Sequence, residues 1–287
     1  MSADEQLLHE SRLKPRQAVI AGSAAALLLL GAVLQLLGPH TKVDELTADL
    51  IAASKRFPLD LIAAVISGLG SLALAWTLAF VFDMTRARAP EQRTYVRMIA
   101  LAGGVLAAVG GVAYSAVIAI KVHQFVTHGS QTYDEANHLT STGLLLALQL
   151  IAQAAALMLA LSFVLVSLNA MRVGLLTRFM GYLGIFAGVL VLFQITQIPV
   201  VQAYWLVALV ALLLGRWPSG NPPSWRTGKA EPWPSSQRQR AQRAGLATGK
   251  GRPAPAGTPA PEALGTSSAS NARARSGAAK RKRKRRR

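Results

Sequence analysis

Apolar positions along this chain fall in long unbroken runs rather than on alternating faces. Six runs stand out: Gln17 to Leu37, Leu59 to Phe82, Met98 to Ile120, Gly143 to Leu168, Phe179 to Gln194 and Val200 to Gly215. A helix that is hydrophobic all round belongs in a membrane or a large core, not on the surface of a soluble bundle. Crossing about 30 Å of hydrocarbon takes roughly 20 helical residues, and only a helix or a closed barrel pairs its own backbone there. The pattern predicts an all-α fold: a polytopic transmembrane helical bundle of about six spans with a disordered basic C-terminal tail. Asp60, at the lip of the second run, is the one charged residue inside them. The last two runs hold only about 16 residues each, so a re-entrant hairpin around Pro199 is the alternative to two full crossings.

Composition divides the chain further. It is 52% hydrophobic and 15% charged, yet its net charge is +18. Residues 216–287 carry 18 of the Lys and Arg residues against Glu231 and Glu262, which leaves residues 1–215 close to neutral. Four segments follow: an N-terminal segment 1–16, a transmembrane domain 17–215, a Trp/Pro-rich juxtamembrane segment 216–235 and a polybasic tail 236–287. The absence of cysteine removes disulfides, zinc-thiolate sites and thiol nucleophiles. Arg12, Lys14 and Arg16 precede the first run as they would in a signal peptide. That run is longer than a signal h-region and Gly38-Pro39-His40 offers no small-x-small cleavage site, so it reads as an uncleaved anchor.

Orientation follows from bases near the span ends. The N-terminal segment carries three, the loop after span two carries Arg86, Arg88, Arg93 and Arg97, and the loop after span four carries Arg172 and Arg178. The opposite side has Lys42, Lys55, Arg56 and Lys121. Six spans with both termini in the cytoplasm of a cell membrane fit every loop but the first, which ties with the N-terminal segment.

The loops carry their own patterns. Thr41 with Asp44 and Glu45 opens an amphipathic stretch through Val43, Leu46, Leu50 and Ile51, expected to lie on the outer membrane surface. Pro90-Glu91 reads as the first turn of the helix that becomes span three. The second outer loop gathers His123, His128, Asp134, Glu135 and His138. Thr132-x-x-Glu135 is a capping box, which puts Asp134 and His138 four apart on one helical face, a spacing that suits two ligands of a divalent metal. His123, His128, Asp134 and His138 are therefore the candidate metal ligands; ordinary solvated loop residues are the plainer alternative.

Span three carries Gly103, Ala107, Gly111 and Ser115 at intervals of four, span five Gly184 and Gly188, and span two Ser67 and Ser71 beside Gly68 and Gly70. Missing side chains let helices approach backbone to backbone where lipid supplies no hydrophobic drive. Gln149 and Gln153 lie one turn apart on span four, and a buried amide needs partners. Reaching toward Tyr114 or Ser115, they form a candidate intramembrane polar site. Ion-coupled transporters place chargeable groups inside the bundle, and these spans have none, which argues against a pump. No P-loop, dinucleotide fingerprint, GxSxG elbow or HExxH appears, and no cofactor is implied.

Below the last span, Trp217, Trp225 and Trp233 recur every eight residues beside Pro or Ser, a composition suited to the headgroup layer. The chain ends in Lys280, Arg281, Lys282, Arg283, Lys284, Arg285, Arg286 and Arg287, set after a stretch too poor in apolar residues to fold alone. Under a membrane domain the nearest polyanion is the anionic leaflet, worth roughly 1 kcal/mol per base. Nucleic acid or a ribosome would offer the same charge, and a protein partner or a second copy of the chain is a further candidate.

Gly215-Arg216-Trp217-Pro218, Pro222-Pro223-Ser224-Trp225 and Pro232-Trp233-Pro234-Ser235 resemble a group of uncharacterised bacterial multi-span membrane proteins. In those the last span also ends in a Trp-Pro-rich segment, after a hairpin like Pro199 to Leu206. The resemblance covers residues 17–235, implies an inner-membrane location and carries over no catalytic residues. The expected role is a non-catalytic structural, sensory or partner-binding membrane component. The alternatives are a passive channel or facilitator for a small neutral solute, lined by Gln149, Gln153 and Tyr114, and a metal-dependent membrane enzyme.

Overall fold

The structure, a computed structural model, describes residues 3–38, 45–193, 198–218 and 220–231. Among them every regular element is a helix: α1 (Ala3–Leu36), α2 (Leu46–Arg56), α3 (Leu59–Arg88), α4 (Tyr95–His128), α5 (Tyr133–Thr140), α6 (Gly143–Arg172), α7 (Arg178–Phe193), α8 (Val200–Leu213) and the single turn α9 (Ser224–Thr227). Helices α1, α3, α4 and α6 are long and apolar enough to cross a membrane. The chain is thus a helical protein built for insertion in a bilayer.

Small residues set how these helices pack. Gly31 of α1 leaves room for Ser67 of α3, and a Cβ on Gly70 would lie 2.9 Å from the Leu28 amide nitrogen. Gly68 faces Ala108 of α4, Gly104 faces Ala75 of α3, and Gly103 faces Met158 and Leu159 of α6. Each contact joins antiparallel neighbours in a single register, α1 with α3, α3 with α4 and α4 with α6. The stripe on α4 is used only in part, since nothing lies within 4 Å of where a Cβ on Gly111 would stand.

Helices α7 and α8 are shorter. Their described residues, 16 and 14 in number, extend about 24 Å and 21 Å. Gly181, Gly184 and Gly188 pack α7 against Met171, Ser167 and Ala160 of α6, so α7 climbs from the Arg172 end and covers α6 up to about Ala155. Beyond it, residues 143–154 of α6 are exposed or half-exposed except Leu145. Helix α8 returns beside α1, with Gly22 against Val210, and is largely buried.

Three boundaries differ from the sequence pattern. The segment before Gln17 is no separate element: α1 runs unbroken through Pro15 from Ala3. Pro90 ends α3 instead of opening α4, because the residue before a proline is pushed out of the α region; Ala89 sits at φ −138°, ψ 82°, and α4 starts at Tyr95. Finally, α2 does not stand alone on a membrane surface. It packs on the last turns of α4 and on α5, around a satellite core of Leu50, Val122, Phe125 and Ala136. Its expected start at Thr41 to Asp44 lies outside the described residues.

Candidate functional site

One end of the bundle is closed by a buried ion pair. Glu10, on the first turns of α1, and Arg88, on the last turn of α3, meet through two parallel contacts, Nη1 to Oε1 and Nη2 to Oε2, both 2.7 Å. The two side chains are 1% and 0% exposed. Desolvating a carboxylate and a guanidinium is costly unless the remaining donors and acceptors are used. Here they are: Arg88 also donates to the carbonyls of Met84 and Ser224, and Glu10 accepts from the Gln6 amide. The bidentate fork needs arginine geometry, which a lysine could not reproduce.

The Trp/Pro segment is drawn into the same knot. The Trp225 indole N–H donates to the Leu175 carbonyl at 2.9 Å, its ring lies under Arg88, and the Lys14 ammonium sits 4.4 Å from the ring centroid. The Glu231 amide donates to the Val173 carbonyl. Trp225 is buried within the protein, because the α6–α7 turn gives its N–H a carbonyl and two cations pack on its ring. Trp233 and the run Lys280 to Arg287 lie outside the described residues. The knot joins α1, α3, the α6–α7 turn and the segment after α8, so these share one end of the bundle.

Above the knot the interior is filled. Trp205 of α8 is fully buried, meets Phe163 edge to face with centroids 5.3 Å apart, and donates its N–H to the Met180 carbonyl. Phe82, Leu78, Leu206 and Leu209 close the space around it. The sequence-derived polar site is not in this interior. Gln149, Gln153 and Tyr114 lie on the exposed outer surfaces of α6 and α4, while Ser115 is half-buried and borders a small cavity beside α2. The amides are on the part of α6 beyond the reach of the described residues of α7.

At the opposite end, α4 continues past the start of α6 and splits the histidines. His123 and His128 are five residues apart, about 140° around the helix. His123 lines a cavity toward α2 and α3, whereas His128 faces Glu135 and Leu139 of the α5 region. The His128 Nδ1 is engaged by the Thr127 hydroxyl. The capping box forms in part: Thr132 accepts from the Glu135 amide, and the Glu135 carboxylate takes the Gln131 amide and the Ser130 hydroxyl. Asp134 and His138 remain exposed on α5. Among the described residues, no three His, Asp or Glu side chains are grouped to hold a metal ion.

The cavity that His123 borders has a volume of about 560 Å³. It is walled by Ala53, Ser54 and Phe57 on one side, by Leu61 of α3 below, and by Ala116, Ala119 and Ile120 of α4 on the other. Sequence patterning missed both this cavity and the knot. Arg88 read as one base among several in its loop, and Glu10, Ala116 and Ala119 carried no signal of their own.

The fold defines a class, the helical membrane-embedded proteins. In comparisons with protein-family models, curated proteins and solved structures, nothing matches this chain.

Proposed function

We propose that the chain is a non-catalytic, multi-pass component of the cell membrane that binds a partner or surface, with both termini in the cytoplasm. The observation that carries this reading is the knot of Glu10, Arg88, Leu175 and Trp225 at one end of a filled bundle. That end also holds Arg12, Arg16, Arg86, Arg93, Arg97, Arg172 and Arg178, against Lys55, Arg56 and Lys121 at the other among the described residues. The excess of bases supports a cytoplasmic position for the knot end.

Among the described residues four helices are long and apolar enough to cross, which supports a reading with α7 and α8 as a hairpin entering from the cytoplasmic end. Six crossings would give the same sidedness for both termini. The tail from residue 236 is the binding element: its eight consecutive bases, Lys280 to Arg287, suit the anionic leaflet of the same membrane.

Reporter fusions after Ser130 and Arg240 test the orientation; an external signal at Arg240 overturns it. For the tail, tryptic cleavage beyond Ser235 in proteoliposomes should slow when anionic lipid is included and recover at high salt. Cleavage indifferent to lipid charge removes the surface-binding role.

A further inference from the structure

Helix α6 carries one packing seam along its length, and its outer half is bare. The glycines of α7 pack on Ala160, Phe163, Ser167 and Met171 of α6, residues three and four apart that share a face. Continued by the same steps toward Gly143, that face is Ala156, Gln153, Gln149 and Leu146. Ala156 is half-buried, and the other three are exposed. Leu150, Ala154 and Leu157 beside them are exposed too, so the amides stand in an otherwise apolar surface.

Gln149 lies about 9 Å along the axis from Gly143, inside the apolar span. Among the described residues no group hydrogen-bonds to its amide. Where a polar side chain on a span can be satisfied within its own helix, it is: exposed Ser23 of α1 donates to the Ile20 carbonyl. The Gln149 amide, with two donors and an acceptor, makes no such bond, and hydrocarbon supplies no water in its place.

The occupant follows from symmetry. Copies of one membrane protein share an orientation and a depth, so a two-fold axis along the membrane normal sets each residue of the seam against its own counterpart. Leu146 then meets Leu146, and Gln149 meets Gln149. A charged group would repel its copy, and a group that only donates or only accepts would find no complement. An amide does both, so two of them pair reciprocally. A different protein satisfies Gln149 only by bringing a polar side chain to that depth, whereas a second copy always brings one. We infer that the chain forms a parallel two-fold dimer through the outer half of α6, with the Gln149 amides hydrogen-bonded across the axis and Leu146 packed against its counterpart along the same seam. The inference depends on insertion in a bilayer in one orientation, not on which side the knot faces or on the tail.

The test uses the full-length protein, which has no cysteine of its own, in membranes of the expression host. Under mild oxidation Leu146→Cys should form a disulfide-linked pair of chains several-fold faster than Ala147→Cys, which is also exposed but about 100° away around the helix. Adding Gln149→Leu, an apolar change at an exposed position, should slow the Leu146→Cys crosslink several-fold. Gln149→Asn, which keeps an amide, should retain more of it. Photobleaching of labelled chains at low density in liposomes should count two chains per particle for the parent and one for Gln149→Leu. Equal crosslinking at 146 and 147, or single chains for the parent, overturns the dimer. Crosslinking unchanged by Gln149→Leu overturns the amide pairing, and a crosslink from Leu146→Cys to a different protein overturns the second copy as occupant.

Discussion

Glu10 and Arg88 are 78 positions apart in sequence and form a doubly hydrogen-bonded pair with almost no solvent contact. They sit where the antiparallel register of α1 and α3, set by Gly31 against Ser67 and Gly70 against Leu28, brings the two helices to the same end. The pair lies beyond the uncharged stretches of both helices, which is why it is compatible with spans free of charge.

Removing one member should be costly. Arg88→Ala leaves a buried carboxylate unpaired and is expected to lower stability by about 3–5 kcal/mol, as is Glu10→Ala for the guanidinium. The double variant Glu10→Leu with Arg88→Leu should be less destabilised than either single change. Thermal unfolding of the four proteins in one detergent measures this; additive losses would mean that the pair is not coupled.

Trp225 ties the juxtamembrane segment to the bundle. Trp225→Ala deletes a buried ring, its hydrogen bond to Leu175 and the surface over which Lys14 and Arg88 lie, a loss of about 3–5 kcal/mol. Trypsin should then cut at Arg216 and Arg226 faster than in the parent. Unchanged cleavage at both sites would show that Trp225 does not hold the segment.

Two glycines of α4 should behave oppositely. A side chain at Gly104 would overlap Ala75 of α3, so Gly104→Leu is expected to cost about 1–3 kcal/mol or more by forcing the helices apart. Gly111→Ala meets open space and gains helix propensity, up to about 1 kcal/mol. Melting temperatures of the two variants that moved in the same direction would contradict the packing described for α3 and α4.

The chain has no cysteine, so single introduced thiols report depth cleanly. Asn137→Cys on α5 and Thr227→Cys on α9 should react with a membrane-impermeant maleimide from opposite faces of sealed vesicles. Val200→Cys, at the start of α8, should react from neither face if α7 and α8 turn within the bilayer. Rapid reaction of Val200→Cys from the Asn137 face would instead make α7 and α8 full crossings.

The long spans were readable because their cause is local. Solvent by hydrocarbon demands an uninterrupted apolar run, and the runs before Gly38, Phe82, Ile120 and Leu168 each met that demand. The capping of α5 by Thr132 was readable for the same reason, since it joins residues three apart. The surroundings of the polar pairs were not readable, because spacing on one helix says nothing about what faces it. Gln149 and Gln153 share a turn, but whether they look inward depends on how far α7 extends along α6. His123 and His128 share a loop in sequence, yet the continuation of α4 directs them to different neighbours.

By itself the sequence determined that this protein is helical, that it resides in a bilayer, and that its charge is gathered beyond the spans. Those are consequences of the transfer cost of backbone and charge into hydrocarbon, which each segment meets alone. Tertiary structure decided that Glu10 is the buried counter-ion of Arg88, that Trp225 seals an end of the bundle, and that α2 leans on α4 to leave a cavity. These depend on the register between helices, fixed by backbone approach at Gly31, Gly68 and Gly104, and contacts between residues far apart in sequence have no local signature.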